Sequence, residues 1–443
     1  MSVSHGKKLP INGLKMLLDA SSPKSALNRK QSSNILNDTH TAWADGTGGS
    51  SGYGQNGDAG EQSRAIRTDP WGGKSVTWRS TPDSTSGADG GWNSTGYAID
   101  RSYTYRHSVW VKRHTAGTGG TFYVGLNPAP IRNDTNAVQS NPYFYCPPQA
   151  NLIQDQWYLV VSHVFYQDYS GGVAHPDSGW WTTTGGKVHG ANENTCNCGG
   201  ADVRFNGTTT TDMHRTYHYY TTNTSSGLEW CFPRIDKLDG TEPSIYQLLK
   251  QGEGLWNDIS GNGNHGVIQD SRNVTWSNDY GGVFNLDATV NKSYIEVSGL
   301  NLSSSDSTVI VASRYTGGSN NGRILSSHVN NWLLGHHGGQ TTAHYAEGWV
   351  SNPGSNNSAA WGIHVATRDT SADHASYWHN GTKSVTNSTA GAQGPNGFSI
   401  GRWHGSNNQY SNGQVGYVAA WDRVLTDAEV TSVTNSLRSR YGV

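Results

Sequence analysis

Apolar and polar positions alternate along most of this chain with a period of two. Val76 and Trp78 alternate with Ser75 and Thr77. Further on, Tyr105, His107, Val109 and Val111 fall on one face, and Arg106, Ser108, Trp110 and Lys112 on the other. Successive strand side chains point to opposite faces, so this pattern predicts β-strands. Residues 121–126, 157–165, 215–220, 228–232, 308–312 and 413–421 read the same way, with glycine and proline clusters between them. Strands punctuated at this spacing predict sandwich or jelly-roll domains. Near the start, Ile11, Leu14, Met16, Leu17 and Leu18 predict a buried strand, ended by Pro23, which cannot donate to a ladder. An orphan apolar strand would leave surface and amides unsatisfied, so it should pair with a later strand, best 414–421.

The helical period appears at the very end. Val430, Val433, Leu437 and Tyr441 share one face, and Thr426 with Glu429 has the spacing of a capping box. A second, shorter helix is predicted over 244–250, after Pro243.

Composition narrows the class. The chain has 443 residues, enough for two or three domains with real cores. It has 56 glycines, 10% aromatic and only 14% charged residues, which suits short strands joined by tight turns. A net charge of -2 gives no reason to expect nucleic acid or an anionic membrane as partner. No run approaches the roughly 18 apolar residues of a membrane span. The segment Met1-Ser2-Val3-Ser4-His5-Gly6-Lys7-Lys8 lacks the apolar core of a signal peptide, so export by the general route is not expected. Cys146, Cys196, Cys198 and Cys231 all fall in the middle of the chain. At this density the expectation is structural thiols, with a disulfide or a metal as alternatives.

Two separated stretches carry a family resemblance. Gly13-Leu14-Lys15-Met16-Leu17-Leu18-Asp19-Ala20 and Trp256-Asn257-Asp258-Ile259-Ser260-Gly261-Asn262-Gly263-Asn264-His265-Gly266 resemble two adjacent steps of concanavalin A-like (laminin G-like) lectin sandwiches. Val283-Phe284-Asn285-Leu286-Asp287, Tyr377-Trp378-His379-Asn380-Gly381 and Phe398-Ser399-Ile400-Gly401 extend the resemblance. It implies an all-β protein: a lectin-like jelly-roll sandwich (11–27 plus 254–443) interrupted by a second β-sandwich or jelly-roll domain (28–253), with a polar arm (1–10) and a short C-terminal helix.

The middle segment resembles a domain recurrent in tail-fibre and other structural proteins of tailed phages. The residues are Asp69-Pro70-Trp71-Gly72, Ala88-Asp89-Gly90-Gly91-Trp92, Tyr105-Arg106-His107-Ser108-Val109-Trp110-Val111, Trp157-Tyr158-Leu159-Val160-Val161, His175-Pro176-Asp177-Ser178-Gly179 and Arg234-Ile235-Asp236. Its shape resembles carbohydrate-binding modules. The resemblance implies a virion surface protein, made in the host cytoplasm, acting as a tail-fibre or tail-tip adhesin on host polysaccharide. A capsid-decorating protein and a glycan hydrolase are the alternatives. The implied partners are other virion proteins, with self-association left open.

Candidate chemistry is sparse. Laminarinase-type relatives of the lectin sandwich carry Glu-x-Asp-x-x-Glu on one strand. None of Glu61, Glu193, Glu229, Glu242, Glu253, Glu296, Glu347 and Glu429 is followed two residues later by Asp, so no enzyme is expected. His214 and His218 would lie on one face of a strand roughly 13 Å apart at ~3.3 Å per residue, too far to share an ion. Asp258, Ser260, Asn262 and Asn264 resemble half of a calcium loop, but Gln269 replaces the bidentate glutamate. Side-chain to backbone bonds in a turn explain the same residues, so no cofactor is expected and calcium is the alternative. For sugar binding, aromatic faces in Asn/Gly-rich surroundings make Trp332, His336, Trp349, Trp361 and Trp403 the candidates.

Overall fold

Along Ser307–Gly318, Val309 and Val311 point one way, Ile310 and Ala312 the other, and all four are buried. A strand buried on both faces lies in the middle layer of a stack. The computed structural model describes residues 9–26, 34–36, 43–190, 203–250, 254–270, 273–289, 294–318, 321–354, 359–389, 391, 393–405 and 409–443. The protein is all-β, and it divides into two compact units. The outer unit draws on Met1–Arg29, Gly72–Lys74 and Gly252–Val443, the middle unit on Lys30–Trp71 and Ser75–Gln251.

The outer unit has two antiparallel sheets. The first runs Val274–Ser277, Val283–Leu286, Ser411–Trp421, Ser307–Gly318, Gly362–Asp369, His374–His379, Thr382–Ser388. Leu14–Asp19 joins it as a further partner of Ser411–Trp421, the strand expected for it, with Leu14 opposite Trp421, Met16 opposite Ala420 and Leu18 opposite Val418. The second sheet runs Leu255–Trp256, Gly266–Ile268, Ile295–Asn301, Asn396–Ile400, Leu325–Ser326, Trp332–His337, Gln340–Ala346, Gly348–Ser351. Met16, Leu18, Val309, Val311 and Val418 from the first sheet meet Ile295, Val297, Leu334, Phe398 and Ile400 from the second in one core.

The opposite face of the first sheet is covered by the C-terminal helix, Asp427–Tyr441. Thr426 and Glu429 form the expected capping box, and Gly442 ends the helix in the left-handed conformation at φ 70°. Val430, Val433, Leu437 and Tyr441 pack on Ile310, Ala312, Trp361, Tyr417 and Trp421. Burying each such aliphatic side chain stabilises by about 1.5–3 kcal/mol, more than the helix's own propensity supplies.

The middle unit repeats this layering. Its large sheet includes, in order, Lys187–Gly190, Gly179–Thr182, Trp157–Phe165, Tyr105–Arg113, Leu228–Lys237, Lys74–Ser80 and Gln62–Thr68. Its small sheet runs Tyr143–Tyr145, Thr121–Leu126, His214–Tyr219, Ala88–Ser94, Tyr53–Gln55. Trp78, Val109, Val111, Val160 and Trp230 from the large sheet enclose a core with Trp92, Phe122, Val124 and Leu126 from the small one. On the other face of the large sheet, Trp110, Leu159, Val161 and Cys231 are covered by Ile245, Leu248 and Leu249 of the short helix Ile245–Lys250. Cys231 keeps a buried thiol, as expected, but Cys146 is disulfide-bonded, which corrects the expectation of thiols throughout. The sequence suggested no partner because a disulfide is set by the fold and not by spacing. Cys196 and Cys198 lie outside the described residues.

Candidate functional site

The strand His214–Tyr219 divides its side chains strictly between two environments. His214, Thr216 and His218 point inward and are wholly buried. The His214 Nε2–H donates to the Ser108 carbonyl at 3.1 Å, and His218 Nε2–H to the Gly119 carbonyl at 2.9 Å. Burial pushes His214 down to about 3 and His218 to about 4, so both are neutral struts of the core.

Arg215, Tyr217 and Tyr219 project from the opposite face of the same strand. Tyr123 stands opposite Tyr217 on the neighbouring strand, and Asn93 stands opposite Arg215 on the other side. Tyr143 comes from the edge strand, its ring over Gly125, where an added Cβ would stand 2.7 Å from the ring. The rings form a continuous patch: Tyr123 to Tyr143 4.8 Å, Tyr143 to Tyr217 5.8 Å, Tyr217 to Tyr219 5.5 Å, and Tyr219 to Tyr220 5.2 Å. The hydroxyl of Tyr217 donates to Asn93 Oδ1, and that of Tyr219 donates to Asn56 Oδ1 at 2.9 Å. Tyr123, Tyr143 and Tyr219 are half-buried, and Tyr220 is 62% exposed. Burial raises the phenols of Tyr123, Tyr143, Tyr217 and Tyr219, so they act as neutral hydrogen-bonding groups with π faces. Half-open aromatic rings beside amides and a guanidinium can stack on the apolar face of a sugar and bond its hydroxyls.

The outer unit holds a different kind of concavity, an open pocket of ≈ 500 Å³ on the first sheet. Thr275, Asn285, Gln414 and Arg314 stand in register across four adjacent strands and line it. Gln414 Nε2 donates to Asn285 Oδ1 at 2.6 Å.

No family model matches this chain, and no curated protein matches it in sequence. Solved structures similar to parts of it include the binding domain of Paraclostridial Mosquitocidal Protein 1 (18% identity, TM-score 0.31, 41% of this chain and 49% of that one). The binding domain of Botulinum neurotoxin DC in complex with rat synaptotagmin II is another (12%, 0.32, 41% and 48%). A third is domain 4 of AbnA, an extracellular arabinanase from Geobacillus stearothermophilus, in complex with arabinotriose (15%, 0.31, 40% and 92%). The aligned part spans about half the length of the toxin binding domains.

The five aromatic residues expected to bind sugar do not form a site. Trp332 is 2% exposed and packs between the two outer-unit sheets against Phe398. His336 has no exposed surface, and burial pushes it down to about 3. Trp361 is 4% exposed and stacks on Tyr441 of the terminal helix at 4.2 Å. These three have no face to offer a ligand: Trp332 and His336 are buried on the second sheet, and Trp361 lies in the core under the terminal helix. Trp349 is 36% exposed, with Tyr345 edge-on at 5.2 Å. Trp403 is half-buried beneath the Arg323 guanidinium at 4.6 Å.

In the loop that resembles half of a calcium site, hydrogen bonds within the chain account for the same residues. Asp258 Oδ1 accepts the backbone N–H of Leu17 and of Ser260, and Oδ2 accepts the N–H of Asn264 and the Ser260 hydroxyl, all at 2.9 Å. Asn262 and Asn264 turn their Nδ2 donors to the carbonyls of Leu14 and Lys15. Both carboxylate oxygens of Asp258 are thus engaged by donors of the chain itself.

The tyrosine face escaped the sequence reading, although its signal was present. In His214-Arg215-Thr216-Tyr217-His218-Tyr219 the histidines drew the reading to the inward positions, while the same alternation places Arg215, Tyr217 and Tyr219 outside.

Proposed function

We propose that the protein recognises carbohydrate through the tyrosine face of its middle unit and serves as a surface adhesin of a tailed-phage particle. The observation that carries the glycan reading is the patch of Tyr123, Tyr143, Tyr217, Tyr219 and Tyr220 beside Asn93 and Arg215. The phage reading rests on the motif series from Asp69-Pro70-Trp71-Gly72 to Arg234-Ile235-Asp236. On this reading the partners are other virion proteins and host surface polysaccharide.

The protein acts by binding, without hydrolysis. Glu229, for example, has no exposed surface and is held by the Thr77 hydroxyl at 2.6 Å, Arg79 at 3.0 Å and Lys112 at 3.1 Å, which suits a structural carboxylate. The test is binding of the labelled chain to host cells with free host polysaccharide as competitor, alongside a reducing-sugar assay. Competed binding without sugar release is expected. Failure to bind cells combined with rebinding to stripped capsids would replace the adhesin with a decoration protein.

A further inference from the structure

Strand parity places a second cluster on the outer unit. Ile295 and Val297 point into the core, so Glu296 between them projects from the outer face of the second sheet. Glu296 stands opposite Ser399 of the strand Asn396–Ile400, and the chain just beyond that strand supplies Arg402 and His404. Ser326 also stands opposite Ser399, and the turn after it supplies His328. Gly397 adopts φ 67° beneath His328, where a Cβ would stand 2.9 Å from the His328 Cβ. That glycine lets the histidine close onto the sheet.

Three electron-pair donors therefore converge. His404 Nδ1 lies 3.3 Å and His328 Nδ1 3.6 Å from Glu296 Oε1. The ligand atoms of the three residues all lie within 4.8 Å of one another. Ligand atoms bonded to one tetrahedral zinc at about 2.0–2.1 Å stand about 3.3 Å apart, close to the 3.3 and 3.6 Å of the two Glu296–histidine pairs. Arg402 Nη2 is 2.7 Å from Glu296 Oε1 and 3.2 Å from His404 Nδ1. Facing Arg402, which only donates, His404 Nδ1 offers a lone pair, the form a metal needs; facing the Glu296 carboxylate, which only accepts, the other tautomer donates from the same nitrogen at 3.3 Å. The His328 Nδ1 is buried with no hydrogen-bond partner. The two imidazoles and the carboxylate thus gather around one guanidinium.

The geometry points to a divalent transition-metal site formed by Glu296, His328 and His404. Imidazole and carboxylate donors select zinc-like ions over calcium or magnesium, which prefer oxygen-only shells. His404 is exposed and Glu296 partly so, leaving one coordination position open to water or to an oxygen of a bound partner. Arg402 is also held over the Tyr294 ring, 3.7 Å from its centroid.

The test uses the full chain, stripped with EDTA and titrated calorimetrically with Zn²⁺, Co²⁺ and Ca²⁺. One Zn²⁺ per chain is expected, with Co²⁺ giving the visible absorption of a four-coordinate site and Ca²⁺ giving no heat. His404→Ala and Glu296→Gln should each weaken Zn²⁺ binding by more than about tenfold, a larger loss than the lower bound for outer-shell changes. The metal-free melting temperature of His404→Ala should match wild type, because His404 is exposed. His374→Ala, a histidine elsewhere on the outer unit, should bind Zn²⁺ normally. Absent stoichiometric Zn²⁺ binding, or binding unchanged in both His404→Ala and Glu296→Gln, overturns the site.

Discussion

The Asp258 carboxylate accepts the backbone N–H of Leu17 at 2.9 Å across 241 residues of sequence. Among the described residues, Leu14–Asp19 has a strand on one side only, Ser411–Trp421. On its other side the loop from Asp258 to Asn264 takes a strand's place: Ile259 N–H donates to the Leu17 carbonyl, and Asn262 and Asn264 to those of Leu14 and Lys15. The loop thus satisfies an edge that would otherwise expose unpaired amides.

Asp258→Ala leaves three backbone N–H donors without their acceptor, so it should lower unfolding stability by about 1–3 kcal/mol or more. Asp258→Asn keeps one acceptor oxygen and should cost less. Urea denaturation checks both, and added calcium should not shift the wild-type midpoint. A calcium-dependent rise of that midpoint, lost in Asp258→Ala, would restore the metal reading of this loop.

The terminal helix offers a separable test. The Thr426 hydroxyl accepts the Glu429 N–H at 3.3 Å, and the Glu429 carboxylate accepts the Thr426 N–H at 2.9 Å. Thr426→Ala should cost ~1 kcal/mol, read as a lower thermal midpoint, and Thr426→Ser should restore most of it.

A third prediction concerns the buried ion cluster of the middle unit. Asp236 accepts from Arg106 at 2.7 Å and Arg234 at 2.6 Å, with all three groups nearly or fully buried. Burial pushes the Asp236 carboxyl up, but the two guanidinium groups outweigh it and hold it below its usual range. Asp236→Asn strands two buried cations and should destabilise by about 3–5 kcal/mol. Chemical denaturation of the variant provides the check.

Acidification should destabilise the protein through its buried histidines. Burial holds His214 and His336 at about 3, and His218 and His344 at about 4. An unfolded histidine titrates near 6.5. Below about pH 6.5 the unfolded chain therefore binds protons that the folded chain refuses, and stability falls as pH falls. Each histidine contributes a slope of up to about 1.4 kcal/mol per pH unit down to its folded value. Urea midpoints at pH 7.5, 6 and 5 should decline in order, and His344→Gln should flatten the decline.

What the sequence made legible follows from how local each signal is. The pairing of Leu14–Asp19 with the last strand was readable because an apolar run demands a buried partner. The terminal helix was readable because Thr426, Glu429 and the apolar face lie within sixteen residues. Trp332 and Trp361 misled because Asn- and Gly-rich neighbours describe the turns beside them, not the direction of the ring. Trp332 points into the core between the two sheets, and Trp361 into the core under the terminal helix. The tyrosine face joins residues from three strands, and only the inward half of the central strand drew attention. The Cys146 disulfide is likewise a product of the fold and leaves no local trace.

The last prediction tests the tyrosine face itself. Tyr219 and Tyr123 are half-buried, with part of each ring open, whereas Tyr217 is 4% exposed and ties Asn93 in place. If a sugar stacks on this patch, Tyr219→Ala and Tyr123→Ala should each weaken binding to host polysaccharide by about 1–3 kcal/mol with little change in melting temperature. Tyr217→Ala should lower stability by about 3 kcal/mol, because it removes a packed aromatic side chain. Tyr217→Phe keeps the packing and deletes only the hydroxyl that positions Asn93, so it separates the two effects: binding falls while the fold holds. Arg215→Ala should weaken binding most strongly to acidic polysaccharides, and its effect should shrink at high salt, because an exposed charge is screened within about 10 Å at 0.1 M. Titration calorimetry with purified host polysaccharide, paired with a melting curve for each variant, decides the matter. Binding unchanged in both Tyr219→Ala and Tyr123→Ala would move the search to the polar pocket around Arg314 and Gln414.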